Sequence, residues 1–200
     1  AYAREATLPA TRMDLCPALL DRLAEYCAFR ASTFLESSAN TEEICAMAAW
    51  NLHEEFGAPY QPRSVNLEIV RPVVADGRMQ PHEWLLTQHG ILKADGASHG
   101  DDHFFPGPAD IAWDLAGAIV EWDLGSEAAD YFLRRYAKLT GDRPQRRLPA
   151  WLQAYTAFRL GYCRMAAESL AGSAEEERLL RDYRRYRARA SAALSLPAAA

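Results

Sequence analysis

GPADIAWDLAGAIVEW, residues 107–122, carries the reading of the fold. Gly107 and Pro108 close a loop, and an apolar helical run follows over about Ile111 to Glu121. Asp110 stands just before that run and suits an N-cap. Asp114 lies four residues later, in the first turns, where the helix dipole favours a carboxylate. It could also hold the preceding loop through backbone N–H groups. A structural role is expected for both aspartates, and Trp113 between them is expected in the core.

The tract upstream, KADGASHGDDHFFPGP (residues 93–108), has a different character. Asp95, His99, Asp101, Asp102 and His103 crowd into nine residues, in a loop whose polar groups need water, partners or a metal. Carboxylates are hard ligands suited to Mg²⁺, and imidazoles add nitrogen that Zn²⁺ accepts. Asp95, Asp101, Asp102 and Asp110 could surround one ion, while His99 and His103, four apart, would share a face if the run were helical. The plain alternative is a solvated acidic loop with Asp110 capping the next helix. Further upstream stands RMQPHEWL, residues 78–85. Trp84 to Thr87 and Ile91 to Lys93 read as short strands around a tight turn. That turn could bring Glu83 and Asp95 to one end of a hairpin as oxygen ligands for Mg²⁺.

Helical spacing dominates the rest. Helices are expected from Asp14 to Leu35, from Thr41 to Gly57, from Ser126 to Gly141, from Pro149 to Leu170, and over about 174–194. Asn40-Thr41-Glu42-Glu43 and Ser173 with Glu176 resemble capping boxes. Asn66 to Val74 reads as extended, and Asp142 to Leu148 as a linker. Trp50, Leu139 and Met165 are expected on apolar faces, and Glu55 and Glu121 on ordinary surface. The fold class is mainly α with a small β-hairpin insertion. A single domain is expected over 14–195, with an arm at 1–13, the β insertion at about 66–95, a loop at 96–109 and an Ala-rich tail at 196–200.

The chain has 200 residues, half of them hydrophobic, and a formal net charge of −5. That composition is globular and gives little reason to expect a nucleic-acid partner, whose backbone calls for a basic face. Residues 1–140 hold 21 acids and 11 bases, which mildly suggests a cationic or amino-bearing small molecule. The basic excess near the end, RLLRDYRRYRAR (residues 178–189), reads first as a solvated helix face. Cys16, Cys27, Cys45 and Cys163 lack metal-ligand spacing and read as thiols in a reducing compartment, which implies a cytoplasmic protein. Neither a targeting segment nor a membrane span of roughly 20 apolar residues is expected.

GPADIAWDLAG resembles the segment that follows the metal-binding loop in the aminoglycoside phosphotransferase and choline kinase family. Those proteins have a protein-kinase-like fold. Its C-terminal lobe runs through a catalytic loop, a β-hairpin, a metal-binding aspartate and a helix opening on Asp-Leu-Ala. Asp114-Leu115-Ala116 matches the last feature, and the resemblance extends over most of residues 14–190. Two registers are open. In one, Asp102, twelve before Asp114, is the metal-binding aspartate, and His89-Gly90-Ile91 stands near the family's His-Gly-Asp loop. In the preferred one, Glu83 takes the metal-binding asparagine position and Asp95 the metal-binding aspartate position, with Pro81 and Leu85 fitting the loop. Arg78 then stands where the family has its catalytic aspartate.

The resemblance implies Mg²⁺ and ATP as cofactors and a small hydroxyl-bearing acceptor. It implies Glu83 and Asp95 on the metal and Lys93 against phosphate charge. His99, Asp101, Asp102 and His103 would line the cleft, while Asp110 and Asp114 brace it. Asp101, Asp102 or His99 would have to replace the missing base, since arginine stays protonated. A glycine-rich loop and a nucleotide lysine are lacking upstream of the first helix, so phosphoryl transfer would require an N-terminal lobe supplied from elsewhere. Two other classes compete: a binding or scaffold domain built on the same lobe, and a hydrolase whose metal is held by Asp95, His99 and His103.

Overall fold

The computed structural model describes the backbone of residues 8–9 and residues 15–57, 67–88, 90–94, 105 and 107–195. The chain is mainly α-helical with a small β element. In order it comprises β1 (Leu8–Pro9), α1 (Pro17–Thr33), α2 (Thr41–Phe56), β2 (Pro72–Val73), β3 (Trp84–Thr87), β4 (Gly90–Lys93), β5 (Ala109–Asp110), α3 (Ala112–Glu121), α4 (Ser126–Thr140), α5 (Leu148–Ser169) and α6 (Ala174–Ser195). Contacts divide it into two compact units. One is built from residues 1–40 and 68–148, the other from 41–67 and 149–200. None of the described helices is long and apolar enough to cross a membrane.

In the first unit α3 is buried along all ten residues, Asp114 and Glu121 included. A helix apolar on nearly every side must be enclosed. The AWDLAGAIVE run therefore forms the unit's centre, and Glu121, expected on the surface, is 4% exposed. Against α4, which buries Phe132, Leu133 and Tyr136, α1 packs with Leu19, Leu20, Leu23 and Cys27 inward. The hairpin has the expected turn, with Trp84 opposite Lys93 and Thr87 opposite Gly90. β1 extends it as a third strand, Leu8 opposite Leu86. β2 and β5 form a separate pair, Pro72 opposite Asp110.

Several boundaries differ from expectation for physical reasons. The first helix ends at Thr33, because Leu35 leaves to bridge Val73. The extended reading over 66–74 contracts to Pro72–Val73. The amides of Val70 and Arg71, which a strand partner would accept, donate instead to Asp110 Oδ2, both at 2.7 Å. Asp110 is itself the last residue of β5, one position before the N-cap Ile111, so the N-cap assignment shifts by one. Its Oδ1 still accepts the Ala112 amide at 2.8 Å. α4 stops at Gly141, whose φ of +75° is the left-handed cap that glycine adopts without strain. Leu139, in the last turn, is 44% exposed rather than inward.

The presumed linker at 142–148 instead carries a buried ionic network. Asp110 Oδ1 accepts a hydrogen bond from Arg147 Nε at 2.9 Å. The other two guanidinium nitrogens grip Asp142 at 2.8 and 2.5 Å, and the Tyr136 hydroxyl donates to Asp142 at 3.0 Å. Burial would raise the Asp142 pKa, but the hydrogen bonds and charge of Arg147 outweigh it and hold the group below the usual carboxylate range. Removing one member of such a network strands the remaining charges away from water. Arg147→Met is expected to cost about 3–5 kcal/mol. It should appear as a lower urea midpoint with an unchanged slope, and a midpoint equal to wild type would refute the network's role.

In the second unit α2 buries Ile44, Ala48 and Leu52. Trp50 sits two residues from Ala48 and from Leu52, hence on the opposite side of the helix, and is 65% exposed. Met165 on α5 is exposed as well. Ser173 caps α6 through the Glu176 amide at 3.2 Å, while the Glu176 carboxylate reaches back to the Gly172 amide rather than that of Ser173. Much of the basic run on α6 is ion-paired: Arg178 with Glu175 and Asp182, Arg187 with Glu55.

Gly161 permits a close approach in this unit. Asn51 Nδ2 donates to the Ala157 carbonyl at 3.1 Å, and a Cβ on residue 161 would lie 2.5 Å from the carboxamide. Gly161→Ala should therefore expel Asn51 and lower stability by about 1–3 kcal/mol despite the better helix propensity of alanine. Thermal unfolding that shows a gain would contradict this.

Candidate functional site

The turn that follows β2 holds the chemistry of the first unit. Asp114, at the start of α3, accepts the amides of Asp76 and Gly77, each at 3.0 Å, one on each carboxylate oxygen. The backbone loop it fixes is therefore the one before the hairpin. Asp76, thus placed, faces α1. Its carboxylate accepts the Tyr26 hydroxyl and stands 3.4 Å from Lys93 Nζ. Arg30, also on α1, donates to the Val74 carbonyl just upstream.

The hairpin supplies the opposing charge. A hydrogen bond from the Ala94 amide to the Glu83 carbonyl, 2.7 Å, prolongs the β3–β4 ladder by one step and keeps residues 83 and 93 at the same end. Trp84 packs edge-on against Tyr26 at 5.3 Å, and Lys93 Nζ stands 6.0 Å from the same ring. The ammonium lies between Asp76 and Glu83, 3.4 and 3.7 Å away, and donates to the Ala94 carbonyl at 3.0 Å. The Lys93 side chain is 4% exposed and that of Asp76 fully buried, whereas Glu83 is 14% exposed. His82, on the solvent side, is 3.7 Å from Glu83.

This cluster joins carboxylates and cations in a low-dielectric place, and its titration follows. Burial, then the neighbouring Asp76 charge, raises the Asp114 carboxyl to about 6, against the opposing pull of the two amides and Arg30. Burial and Asp76 likewise push the Tyr26 phenol up, and burial does the same for the Cys27 thiol. Both therefore stay protonated, and neither is an activated nucleophile. Gln80 Oε1 and Trp84 Nε1 are buried near the hairpin's start without hydrogen-bond partners among the described residues.

Of the residues singled out from sequence, Glu83 and Lys93 are together, Asp114 lies one step away through Asp76, and Asp110 belongs to the Arg147 network. Trp113 is fully buried against Phe105, their ring centroids 4.6 Å apart. Asp95, His99, Asp101, Asp102 and His103 lie outside the described residues, as do His89 and Asp14. Among the described residues no three His, Cys, Asp or Glu side chains are grouped to hold a metal. Glu83 and Asp76 do not fit Mg²⁺ as they stand, because the Lys93 ammonium stands between them and offsets one of their two charges. Sequence reasoning missed Asp76, Tyr26 and Arg30. Asp76 had a signal, since an acid and a glycine end the apolar run PVVA just before RMQP. Tyr26 and Arg30 looked like ordinary helix residues.

No protein-family model matches the chain, and no curated protein matches it. The solved structures it resembles include those of a choline kinase. One is LicA from Streptococcus pneumoniae, at 15% identity and a TM-score of 0.47 over 90% of this chain and 57% of that one. The same values of identity and TM-score hold for LicA in complex with AMP, over 91% of this chain and 56% of that one. The chain thus spans little more than half the length of these proteins.

The raised Asp114 pKa fixes a sign. Between the unfolded value near 4 and the folded value of about 6, the folded state binds more protons, so this group's contribution to stability falls as pH rises through that window and is level above it. Asp114→Asn abolishes the titration. Its stability relative to wild type should therefore improve from pH 4 to pH 7, measured as the difference between urea midpoints. A difference that is flat, or that slopes the other way, would place the Asp114 pKa at or below its unfolded value.

Proposed function

We propose that this chain is a binding or scaffold domain built on a phosphotransferase-like lobe, with a lysine where a metal ion would be needed. The observation that carries the reading is the Lys93 ammonium between Asp76 and Glu83. Two carboxylates at one end of a hairpin suit a divalent cation. An internal ammonium supplies half that charge and stands between the two carboxylates, leaving no coordination site open for substrate. The order of the sequence motifs, with Asp114-Leu115-Ala116 opening the helix, supports the lobe; Arg78 at the expected position of the base supports loss of phosphoryl transfer.

The second reading is Mg²⁺- and ATP-dependent transfer to a small hydroxyl-bearing molecule, completed by an N-terminal lobe. The loose Lys93 contacts favour it. Separations of 3.4 and 3.7 Å are ion-pair rather than hydrogen-bond distances, so a metal carrying nucleotide phosphates could draw the ammonium towards the phosphates. Asp95 and Asp102 would then join Glu83 as ligands.

Mn²⁺, a paramagnetic substitute for Mg²⁺, separates the two. With wild type, millimolar Mn²⁺ with or without ATP is expected to leave the amide signals of Gly77, Glu83 and Ala94 unbroadened. Lys93→Met should be less stable than wild type, because Asp76 loses its counter-charge, and should regain stability and show local broadening when Mn²⁺ is added. Local broadening in wild type, strengthened by ATP, would overturn the binding-domain reading and support the phosphotransferase.

A further inference from the structure

A second concave site in the first unit has the opposite charge. A cavity of about 530 Å³ is bordered by Arg71, Arg143, Arg146 and Arg147, with Glu68 and Asp142 as its two carboxylates. Arg147 is engaged by Asp110 and Asp142, and Asp142 is satisfied by Arg147 and Tyr136. Arg71, Arg143 and Arg146 have no side-chain hydrogen bond or ion pair among the described residues. In an acidic chain this is a notable arrangement. Elsewhere Arg135 pairs with Asp21, Arg178 with Glu175 and Arg187 with Glu55.

These three guanidinia, of which Arg71 acts on Asp142 through its charge alone, are held on fixed backbone. The Arg71 amide donates to Asp110, and its carbonyl accepts the Ile111 amide at 3.0 Å. Arg143 and Arg146 flank the 3-10 turn Pro144–Arg146, whose Pro144 is buried and whose carbonyl accepts the Arg147 amide at 3.0 Å. The ionic network that fixes the fold therefore also sets the spacing of these cations. A second hollow of about 420 Å³ shares Arg71 and Thr140 and adds Phe29 and Leu139. Both of those side chains are exposed, as is Val70 on the wall of the first cavity.

We propose that this cavity binds a phosphate monoester, its oxygens on Arg71, Arg143 and Arg146 and its organic body against Phe29 and Leu139. Guanidinium forks match phosphate oxygens in planar, paired hydrogen bonds, and a dianion suits several cations better than a carboxylate does. The volume is that of a small-molecule pocket and far exceeds the roughly 30 Å³ share of one water, so a bare ion would leave it largely filled with solvent. The chain's negative net charge disfavours a nucleic-acid backbone as the occupant.

The test titrates the full chain with phenyl phosphate, inorganic phosphate and benzoate, each at matched ionic strength, by amide NMR. Phenyl phosphate is expected to shift Leu139, Gly141, Arg143 and Arg146 saturably and to bind about tenfold more tightly than either other probe. Arg71→Gln, and separately the pair Arg143→Gln with Arg146→Gln, should each weaken it by about tenfold or more with an unchanged melting temperature. The absence of saturable shifts, or shifts equal to those of sodium chloride, would overturn the site. So would affinity that either variant leaves intact. Benzoate binding as tightly would overturn the assignment to phosphate, and inorganic phosphate binding as tightly would overturn the role of the apolar wall.

Discussion

A carboxylate that leaves water must replace each hydrogen bond it gives up, and Asp110 replaces its own from separate segments of chain. The amides of Val70 and Arg71 take one oxygen; the Ala112 amide and the Arg147 guanidinium take the other. An ionised carboxylate offers about four acceptor positions, so this one is filled. That single constraint positions the strand before the Asp76 turn, the start of the central helix and the segment after α4. Through Arg147 and Asp142 it reaches Tyr136, a buried residue of α4, the helix that packs against α1. An apolar core would pack these segments together without specifying their relative register. The filled carboxylate does specify it, because a shift of one residue would leave buried donors unpaired.

The second aspartate, one helical turn on, uses the same device on a different target. Asp114 holds the Asp76–Gly77 backbone, and Asp76 then meets Lys93 and Tyr26. The DIAWD pentapeptide thus anchors two regions, one on each aspartate, with Trp113 buried between them. The difference lies in compensation. Arg147 balances Asp110 directly, whereas Asp114 is fully buried beside the negative Asp76, and these two effects outweigh its two amides and raise its pKa to about 6. A neutral Asp114 donates as well as accepts, so the site's hydrogen bonding changes in the mildly acidic range.

The helices were legible because their signals are local. Capping residues, a glycine stop and a 3.6-residue period gave α2, α4, α5 and α6 nearly as found, and the QHG turn gave the hairpin. The apolar character of α3 and the burial of Trp113 were legible from composition, but the burial of Glu121 was not. What failed was the direction of individual faces. Trp50 and Leu139 carry large apolar side chains that sequence patterning places inside, but the buried stripes pass through Ala48 and Tyr136. The candidate site was half visible. Glu83 and Lys93 could be joined by hairpin register, since pairing there follows from strand length and turn. Asp76 and Tyr26 are 50 residues apart in sequence, and Arg147 lies 37 from Asp110. No local rule links such pairs, and a charged residue among other charged residues gives no sign that it will be buried.

These long-range pairs also explain how one unit carries two sites of opposite charge. A carboxylate cluster and an arginine-lined cavity would attract each other if both were left mobile and uncompensated. Here Lys93 neutralises much of the first internally, and Arg147 is committed to Asp110 and Asp142 before it faces the second. What remains is a set of three guanidinia facing two carboxylates, Glu68 and Asp142, held by the same backbone contacts that order the core. Function in the carboxylate cluster would need its lysine displaced. The proposed cavity needs no such rearrangement, because Asp142 is already taken by Arg147 and Tyr136 and leaves the hydrogen-bond donors of Arg71, Arg143 and Arg146 to a ligand.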